Sequence, residues 1–229
     1  MSITKTVNLV MQYDTLIDSY HPTTNYNTAT TGMIGRAASN DEIHRGLFKV
    51  DFSSISAISF NTVKLYLYLH TSGVTANRTL EGFRVLKNWV SAQTTWNIYS
   101  TGNNWTAAGL QSGTDYNATS LGSGTIVLDY EGWIYLTLSA TEMYKICDGT
   151  YSNYGVFVKQ SYEEVGEDSN FYFTGGTYPP YLYVSYEEPD GGDQICNGFI
   201  QSKIFRGVKN ILGTFEMKNG LLQPSALKA

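Results

Sequence analysis

Two segments in the first third of the chain alternate hydrophobic and polar residues with a period of two. They comprise residues 45–52 and residues 63–70. This alternation is typical of a β-strand that buries one face, so both segments are predicted to be strands. The connection between them, residues 53–60, is too long for a tight hairpin and carries Ile55, Ile58 and Phe60. Two strands joined by a packed crossover favour a β-sandwich over a meander.

The same alternation recurs along most of the chain and predicts a series of further strands. They fall in residues 7–11, 32–38, 83–86, 124–138, 153–160, 170–174 and 180–186. Between them, the segment 97–116 is rich in glycine, asparagine, threonine and serine, and we interpret it as a surface excursion.

One segment of the main body, residues 139–149, predicts a helix. Ser139 and Glu142 fit a capping box, Met143 shares a face with Ile146, and Gly149 stands where a left-handed residue ends a helix. Taken together, the elements predict an all-β protein. Its expected fold is a jelly-roll-like antiparallel β-sandwich with one short helix and a C-terminal extension.

The composition agrees with this class and excludes several functions. Of 229 residues, only 15% are charged, whereas there are 18 tyrosines and 22 glycines, a balance typical of extracellular or virion β-proteins. A net charge of −5 argues against nucleic-acid binding. No apolar run reaches the length of a membrane span, and the alternating N-terminus predicts a strand rather than a signal peptide.

The C-terminal residues differ from the rest of the chain. Residues 1–189 carry 10 basic and 17 acidic side chains, whereas residues 190–229 carry five and three. We therefore predict a main domain in 1–189 and a separate docking or anchoring segment in 190–229. A helix, followed by a hairpin over residues 215–222, is predicted there. The candidate assembly residues are apolar: Ile200, Ile204, Val208, Ile211 and Phe215.

Three destinations for this segment stay open. It could pack on its own domain, dock into a neighbouring subunit or assembly, or lie on a membrane surface.

The sequence contains no catalytic constellation, so we predict that the protein is not an enzyme. His21, His44 and His70 never occur at a metal-binding spacing, and no nucleophile or phosphate-binding motif is present. No cofactor or metal site is predicted, although the acidic stretches 163–168 and 187–193 could each hold Ca²⁺ through oxygen ligands. Cys147 and Cys196 are too few for a disulfide framework, but a bond between them stays open.

Aromatic residues supply the candidate binding site. Trp105, Tyr99 and Tyr116 lie in the polar excursion, where an exposed ring can stack on the face of a sugar. The alternative for these three rings is packing within the loop. The other tryptophans lie in or beside predicted strands and are assigned to the core: Trp89, Trp96 and Trp133.

The order of several short motifs resembles the DNRLRE domain, a family named after disaggregatase-related repeats. These motifs are D-T-x-I-D-S-Y at residues 14–20, R-x-L-F-K-V-D-F-S-S at 45–54, K-L-Y-L-Y at 64–68, N-W and T-T-W at 88–96, N-Y-G at 153–155 and P-P-Y-L-x-V-x-Y at 179–186. The resemblance covers about residues 14–186. It implies a β-sandwich similar to a group of carbohydrate-binding modules.

Two functional hypotheses follow. The first is a non-enzymatic structural virion protein of a bacteriophage: a decoration, fibre or tail component on the virion surface. Its C-terminal segment would contact capsid or tail proteins, and it could form a homo-oligomer. The second is a secreted or cell-surface module that binds polysaccharide.

Overall fold

A computed structural model describes residues 2–189, 215–218 and 221–224. The strands of the first half of the chain are β1 Ser2–Asp18, β2 Thr31–Arg36, β3 Ile43–Val50, β4 Ser59–Gly73, β5 Arg78–Val85, β6 Ile98–Ser100 and β7 Asn103–Asn104. The remaining elements are β8 Tyr116–Ile126, β9 Gly132–Leu138, α1 Ala140–Cys147, β10 Val156–Gln160, β11 Glu167–Tyr172, β12 Tyr181–Pro189, β13 Phe215–Lys218 and β14 Leu221–Pro224. Within the described residues, no helix combines the length and apolar character of a membrane span.

Eight antiparallel strands form a closed ring in the order β1, β12, β4, β9, β8, β5, β10, β3 and back to β1. Strand β1 is long enough to pair with β12 as far as Val10 and with β3 from Met11 onward, and the second pairing has an irregularity between Met11 and Tyr13. Strands β11 and β2 pair with each other and connect β4 to β3. The all-β class is therefore confirmed. The jelly-roll sandwich is not confirmed, because the ring resembles a barrel and does not divide into two separate sheets.

The predicted central strands are β3 and β4, and they do not pair with each other. The connection between them is therefore a crossover, as its length predicted. In β4, Val63, Leu65, Leu67 and Leu69 are at most 1% exposed. The intervening side chains lie on the opposite face of the strand and are partly exposed. Burying one face of β4 in this way places every second residue at the protein surface.

The predicted helix is α1, and its ends follow the predicted signals. The Ser139 side chain accepts a hydrogen bond from the Glu142 backbone N–H, as in the first half of a capping box. Gly149 has a φ of 82°, which suits a glycine beyond the C-terminus of a helix. Met143 and Ile146 are buried against the main core.

A second cluster of buried residues, here called the end cluster, lies apart from the main core. It contains Ile17, Leu47, Phe83, Val85, Trp89, Trp105, Leu110, Tyr116 and Phe157. The assignment of Trp89 to the core is confirmed. The interpretation of residues 97–116 as a surface excursion is wrong for three of its large side chains, Trp105, Leu110 and Tyr116, because they belong to this cluster.

A buried carboxylate explains how such a polar segment can pack. Asp115 is fully buried and accepts hydrogen bonds from the Thr106 backbone N–H at 2.9 Å, the Thr106 hydroxyl at 2.8 Å and the Gln111 backbone N–H at 2.8 Å. These bonds fold the segment back on itself. The burial of its apolar rings then favours packing of the segment on the face of β3 and β10 that points away from the main core.

In the C-terminal segment, the predicted hairpin is confirmed. Strand β13 pairs antiparallel with β14, from Phe215 opposite Pro224 to Lys218 opposite Leu221. The predicted helix, and with it Ile200, Ile204, Val208 and Ile211, lies outside the described residues, as does Cys196. The anchoring role of the segment therefore stays a prediction.

We expect a chain that ends at Pro189 to fold without the remaining residues. The ring is closed by contacts between β1 and β12, neither of which extends beyond that position. The shortened protein should be soluble and should unfold in one cooperative transition, as measured by thermal denaturation. Insoluble or molten protein would instead show that the C-terminal segment belongs to the core.

Candidate functional site

The structure brings together the three rings predicted to bind carbohydrate, but it buries two of them. Trp105 is 3% exposed and Tyr116 is 8% exposed. The Trp105 indole N–H donates to the Thr95 carbonyl at 3.0 Å, and the Trp105 ring lies 5.4 Å from that of Tyr99. Tyr116 packs on Phe83. The prediction of exposed stacking rings is therefore wrong for Trp105 and Tyr116, because the end cluster uses them as core.

A different set of aromatic residues is presented on the surface. They lie on the outer side of β4, β9, β11 and β12 and on the loop that joins the last two strands. We call them the aromatic face: Tyr66, Tyr68, Trp133, Tyr135, Tyr172, Tyr178 and Tyr181.

The alternation of β4 and β9 creates this face. In β9, Ile134 and Leu136 are buried, so Trp133 and Tyr135 lie on the other side of the strand. The register of the pair places Tyr66 opposite Tyr135 and Tyr68 opposite Trp133. On its other edge, β4 places Tyr66 opposite Tyr181 of β12. Neighbouring strands thus supply aromatic residues at adjacent positions of one surface.

The rings form two stacked pairs with a tryptophan set against both. Tyr66 and Tyr181 stack at 4.8 Å with an interplanar angle of 8°, and Tyr68 and Tyr178 stack at 4.1 Å with an angle of 12°. Trp133 meets Tyr181 edge-on at 5.1 Å and Tyr68 edge-on at 5.3 Å. These contacts fix the ring orientations before any ligand arrives.

Much of this aromatic surface remains accessible. Trp133 is 36% exposed, Tyr178 is 41% exposed and Tyr135 is 43% exposed. The assignment of Trp133 to the core is therefore wrong. The sequence G-W-I-Y-L-T-L carries large residues on both faces of β9, and the structure buries the aliphatic set.

Polar groups border the aromatic face. The Lys64 ammonium lies 4.0 Å from the centre of the Tyr135 ring, and the His70 ring lies 5.0 Å from that of Tyr172. Next to Trp133 is a shallow depression of about 400 Å³ that Ser123, Gly124 and Thr125 also line. The face thus combines flat apolar rings with hydrogen-bonding groups at its border, as sites for small polar molecules commonly do.

Two tyrosines of the face, Tyr68 and Tyr181, are uncharged at neutral pH. Burial by the neighbouring rings raises the pKa of Tyr68, and the nearby carboxylate of Glu131 raises it further. Burial also raises the pKa of Tyr181, with a smaller contribution from Tyr66. Their hydroxyl groups therefore keep their protons and can both donate and accept hydrogen bonds.

A larger groove of about 680 Å³ lies elsewhere and is lined by Tyr13, Lys49, Trp89 and Val90 among others. Its tryptophan is only 5% exposed, and the indole N–H donates to the Tyr154 carbonyl at 2.7 Å. Because that ring is held in the core, the groove offers far less flat aromatic surface than the aromatic face does.

The acidic stretch 163–168 is one of the two candidate Ca²⁺ sites of the sequence, but its glutamates form ion pairs with arginines. Glu163 forms a two-point ion pair with Arg45, with both distances 2.7 Å. Arg78 lies 2.7 Å from Glu167 and 3.3 Å from Glu164. These arginines already neutralise the oxygens that a calcium ion would need. In the second stretch, Glu187 accepts from Thr4 and Asn61, and residues 190–193 lie outside the described part of the chain.

Comparison with known proteins agrees with a binding surface of this kind. Residues 5–116 match the model of carbohydrate-binding module family 96, which is just under half of the chain. The match supports a carbohydrate-binding-module-type domain. The DNRLRE family specifically is not shown by it, and no curated protein matches the chain.

The matched residues include β4 and hence Tyr66 and Tyr68 of the aromatic face. The match suggests carbohydrate binding by a non-catalytic domain, in line with the second of the two functional hypotheses. It gives no support to the virion hypothesis. Carbohydrate recognition is thus indicated independently by the family match and by the exposed rings.

Proposed function

We propose that this protein binds a polysaccharide at the aromatic face. The observation that carries the proposal is the exposed Trp133 ring set between two stacked tyrosine pairs. The face of an aromatic ring is electrically negative, so it attracts the C–H groups on the flat side of a pyranose ring. The surrounding hydroxyl groups can bind the sugar hydroxyls.

Several rings in one surface favour a polymer over a single sugar. A ligand that spans Tyr66, Trp133 and Tyr178 would contact rings contributed by β4, β9 and the β11–β12 loop. Each contact on its own is weak, but adjacent sugars on one chain bind with a high effective concentration. The support for this extended ligand is the alignment of rings that the strand register imposes.

The proposal is tested by measuring binding of the full chain to a panel of neutral and acidic polysaccharides. Affinity electrophoresis serves for the soluble polymers, and co-sedimentation serves for the insoluble ones. We expect at least one polysaccharide to bind, with an affinity that changes little with ionic strength, because stacking does not depend on paired charges.

Two outcomes would count against this mode of binding. Strong weakening by salt would indicate that an acidic glycan is held by charge at a different surface. A failure to bind any member of the panel would remove the support for the proposal. The virion hypothesis stays a prediction, since its anchoring residues Ile200, Ile204, Val208 and Ile211 lie outside the described residues.

A further inference from the structure

A compact group of metal-ligand side chains lies in a different part of the molecule. Asp18 at the end of β1, together with Glu42 and His44 at the start of β3, offers ligand atoms that all lie within 4.8 Å of one another. His21, from the loop after β1, adds a second imidazole beside the same carboxylates. The aromatic face uses none of these four residues.

Strand pairing and a tight turn bring the group together. The register of β1 with β3 places Asp18 opposite His44. The turn between β2 and β3 is closed by two residues with positive φ, Asn40 at 57° and Asp41 at 58°, which positions Glu42 next to His44. In the sequence, Asp18 and His21 are separate from Glu42 and His44, and so the spacing of the histidines along the chain did not predict a metal site.

We propose that Asp18, Glu42, His44 and His21 bind a divalent transition-metal ion of the Zn²⁺ class. The His44 Nε2 atom lies 3.1 Å from Glu42 Oε1 and 4.0 Å from Asp18 Oδ1. The His21 Nδ1 atom lies 3.8 Å from the same Glu42 oxygen. Ligand atoms around tetrahedral zinc, at bond lengths near 2.0–2.1 Å, lie roughly 3.3 Å apart. The observed separations bracket that value.

The charge of the group favours a cation. Asp18 is 2% exposed, and within residues 2–189 the ion pairs of Asp18 and Glu42 are formed with histidines only. Arg36, on the same hairpin, is held by Asp41 and by the Glu163 carbonyl. Two carboxylates are thus gathered without a lysine or arginine partner. A divalent ion would neutralise both of them.

The ligand types decide between classes of metal. Imidazole nitrogen suits zinc and its neighbours in the first transition row, whereas Ca²⁺ and Mg²⁺ prefer oxygen ligands throughout. Asp18 is further oriented by the Tyr26 hydroxyl, which donates to Oδ2 at 2.9 Å, and by the Tyr20 backbone N–H, which donates to Oδ1 at 2.7 Å. Such outer partners hold a ligand in place.

One feature limits the expected affinity. The Nδ1 atom of His44 is buried and has no hydrogen-bond partner among the described residues. Metal-bound imidazoles usually donate from that position to a carbonyl or carboxylate. We therefore expect binding weaker than at a site whose outer partners are complete.

The test is a titration of the chelator-treated full chain with Zn²⁺, followed by calorimetry, with Co²⁺ absorption as a second readout. We expect one ion per chain, a rise in melting temperature with Zn²⁺ but not with Ca²⁺ or Mg²⁺, and a Co²⁺ spectrum without thiolate bands. Glu42→Gln and His44→Gln should each lower the affinity by about tenfold or more. His70→Gln, which alters the histidine outside the group, should leave it unchanged.

Glu42→Gln keeps the test valid if His44→Gln fails to fold, because Glu42 is the less buried of the two side chains. The proposal is overturned if Glu42→Gln binds Zn²⁺ as tightly as the unmodified protein does. It is also overturned if binding disappears in Cys196→Ser, since the metal would then be held by a thiolate. Failure to bind Zn²⁺ at this site would leave polysaccharide binding at the aromatic face unaffected.

Discussion

Replacing Trp105 by alanine should destabilise the protein by about 3–5 kcal/mol, the usual cost of removing a large aromatic side chain from a core. The ring is 3% exposed within the end cluster. Its indole N–H also donates to the Thr95 carbonyl at 3.0 Å, and that acceptor would lose its partner. Because domains of this kind have a total stability of roughly 5–15 kcal/mol, the variant should be marginal or unfolded. Chemical denaturation measures the difference.

Trp96→Ala is the matched comparison, since it removes the same side chain from the same part of the fold. Trp96 is only partly buried, and its ring lies 5.1 Å below the guanidinium of Arg45. We expect a distinctly smaller loss of stability than for Trp105→Ala, in the reverse of the ranking that the sequence suggested. Equal losses, or a larger loss for Trp96→Ala, would show that Trp105 does not anchor the end cluster.

The alternation of hydrophobic and polar residues was sufficient to predict most strands and the helix. Strand β4 shows why: its buried positions between Val63 and Leu69 are all valine or leucine, so one face is unambiguous. Closure of the sheet into a ring could not be predicted in this way. It depends on which edges pair, and above all on β1 changing partners from β12 to β3 at Met11.

The main wrong prediction from the sequence concerns which face of β9 is exposed. In β9 both alternating sets contain large apolar or aromatic residues, so periodicity alone cannot decide which set is buried. Pairing with β4 decides it, because the leucines of β4 and the aliphatic residues of β9 share one side. The signal that could have been used was the run of tyrosines opposite the leucines in β4, at Tyr66 and Tyr68.

The burial of aromatic rings in the polar segment 97–116 could not be predicted, for a different reason. Its composition is that of a loop, and most of its residues are indeed exposed, including Asn103 and Asn104 of β7. Composition does not reveal a buried hydrogen-bonding centre such as Asp115, which depends on how the backbone between Thr106 and Asp115 folds. The sequence therefore identifies the aromatic rings of this segment, but it does not show that Trp105 and Tyr116 are buried.

Replacing Trp133 by alanine should abolish most of the polysaccharide binding while the protein stays folded. The ring is 36% exposed and contacts both stacked tyrosine pairs. Loss of such a central aromatic contact commonly costs about 2 kcal/mol or more of binding free energy, which is roughly a 30-fold weaker affinity. Loss of its cross-strand contact with Tyr68 should cost no more than about 1 kcal/mol of stability. Affinity electrophoresis and thermal denaturation measure the two effects separately.

Tyr162→Ala provides the control, because Tyr162 is an aromatic residue that is 74% exposed and lies outside the aromatic face. It should bind polysaccharide as the unmodified protein does. Trp133→Tyr should fall between the two variants, since it keeps a flat ring of smaller area at the same place on β9. If Trp133→Ala binds normally, the aromatic face is not the binding surface. If it loses binding only together with its fold, the ring is instead a structural element of β9 and its neighbours, and the stacking mechanism must be abandoned.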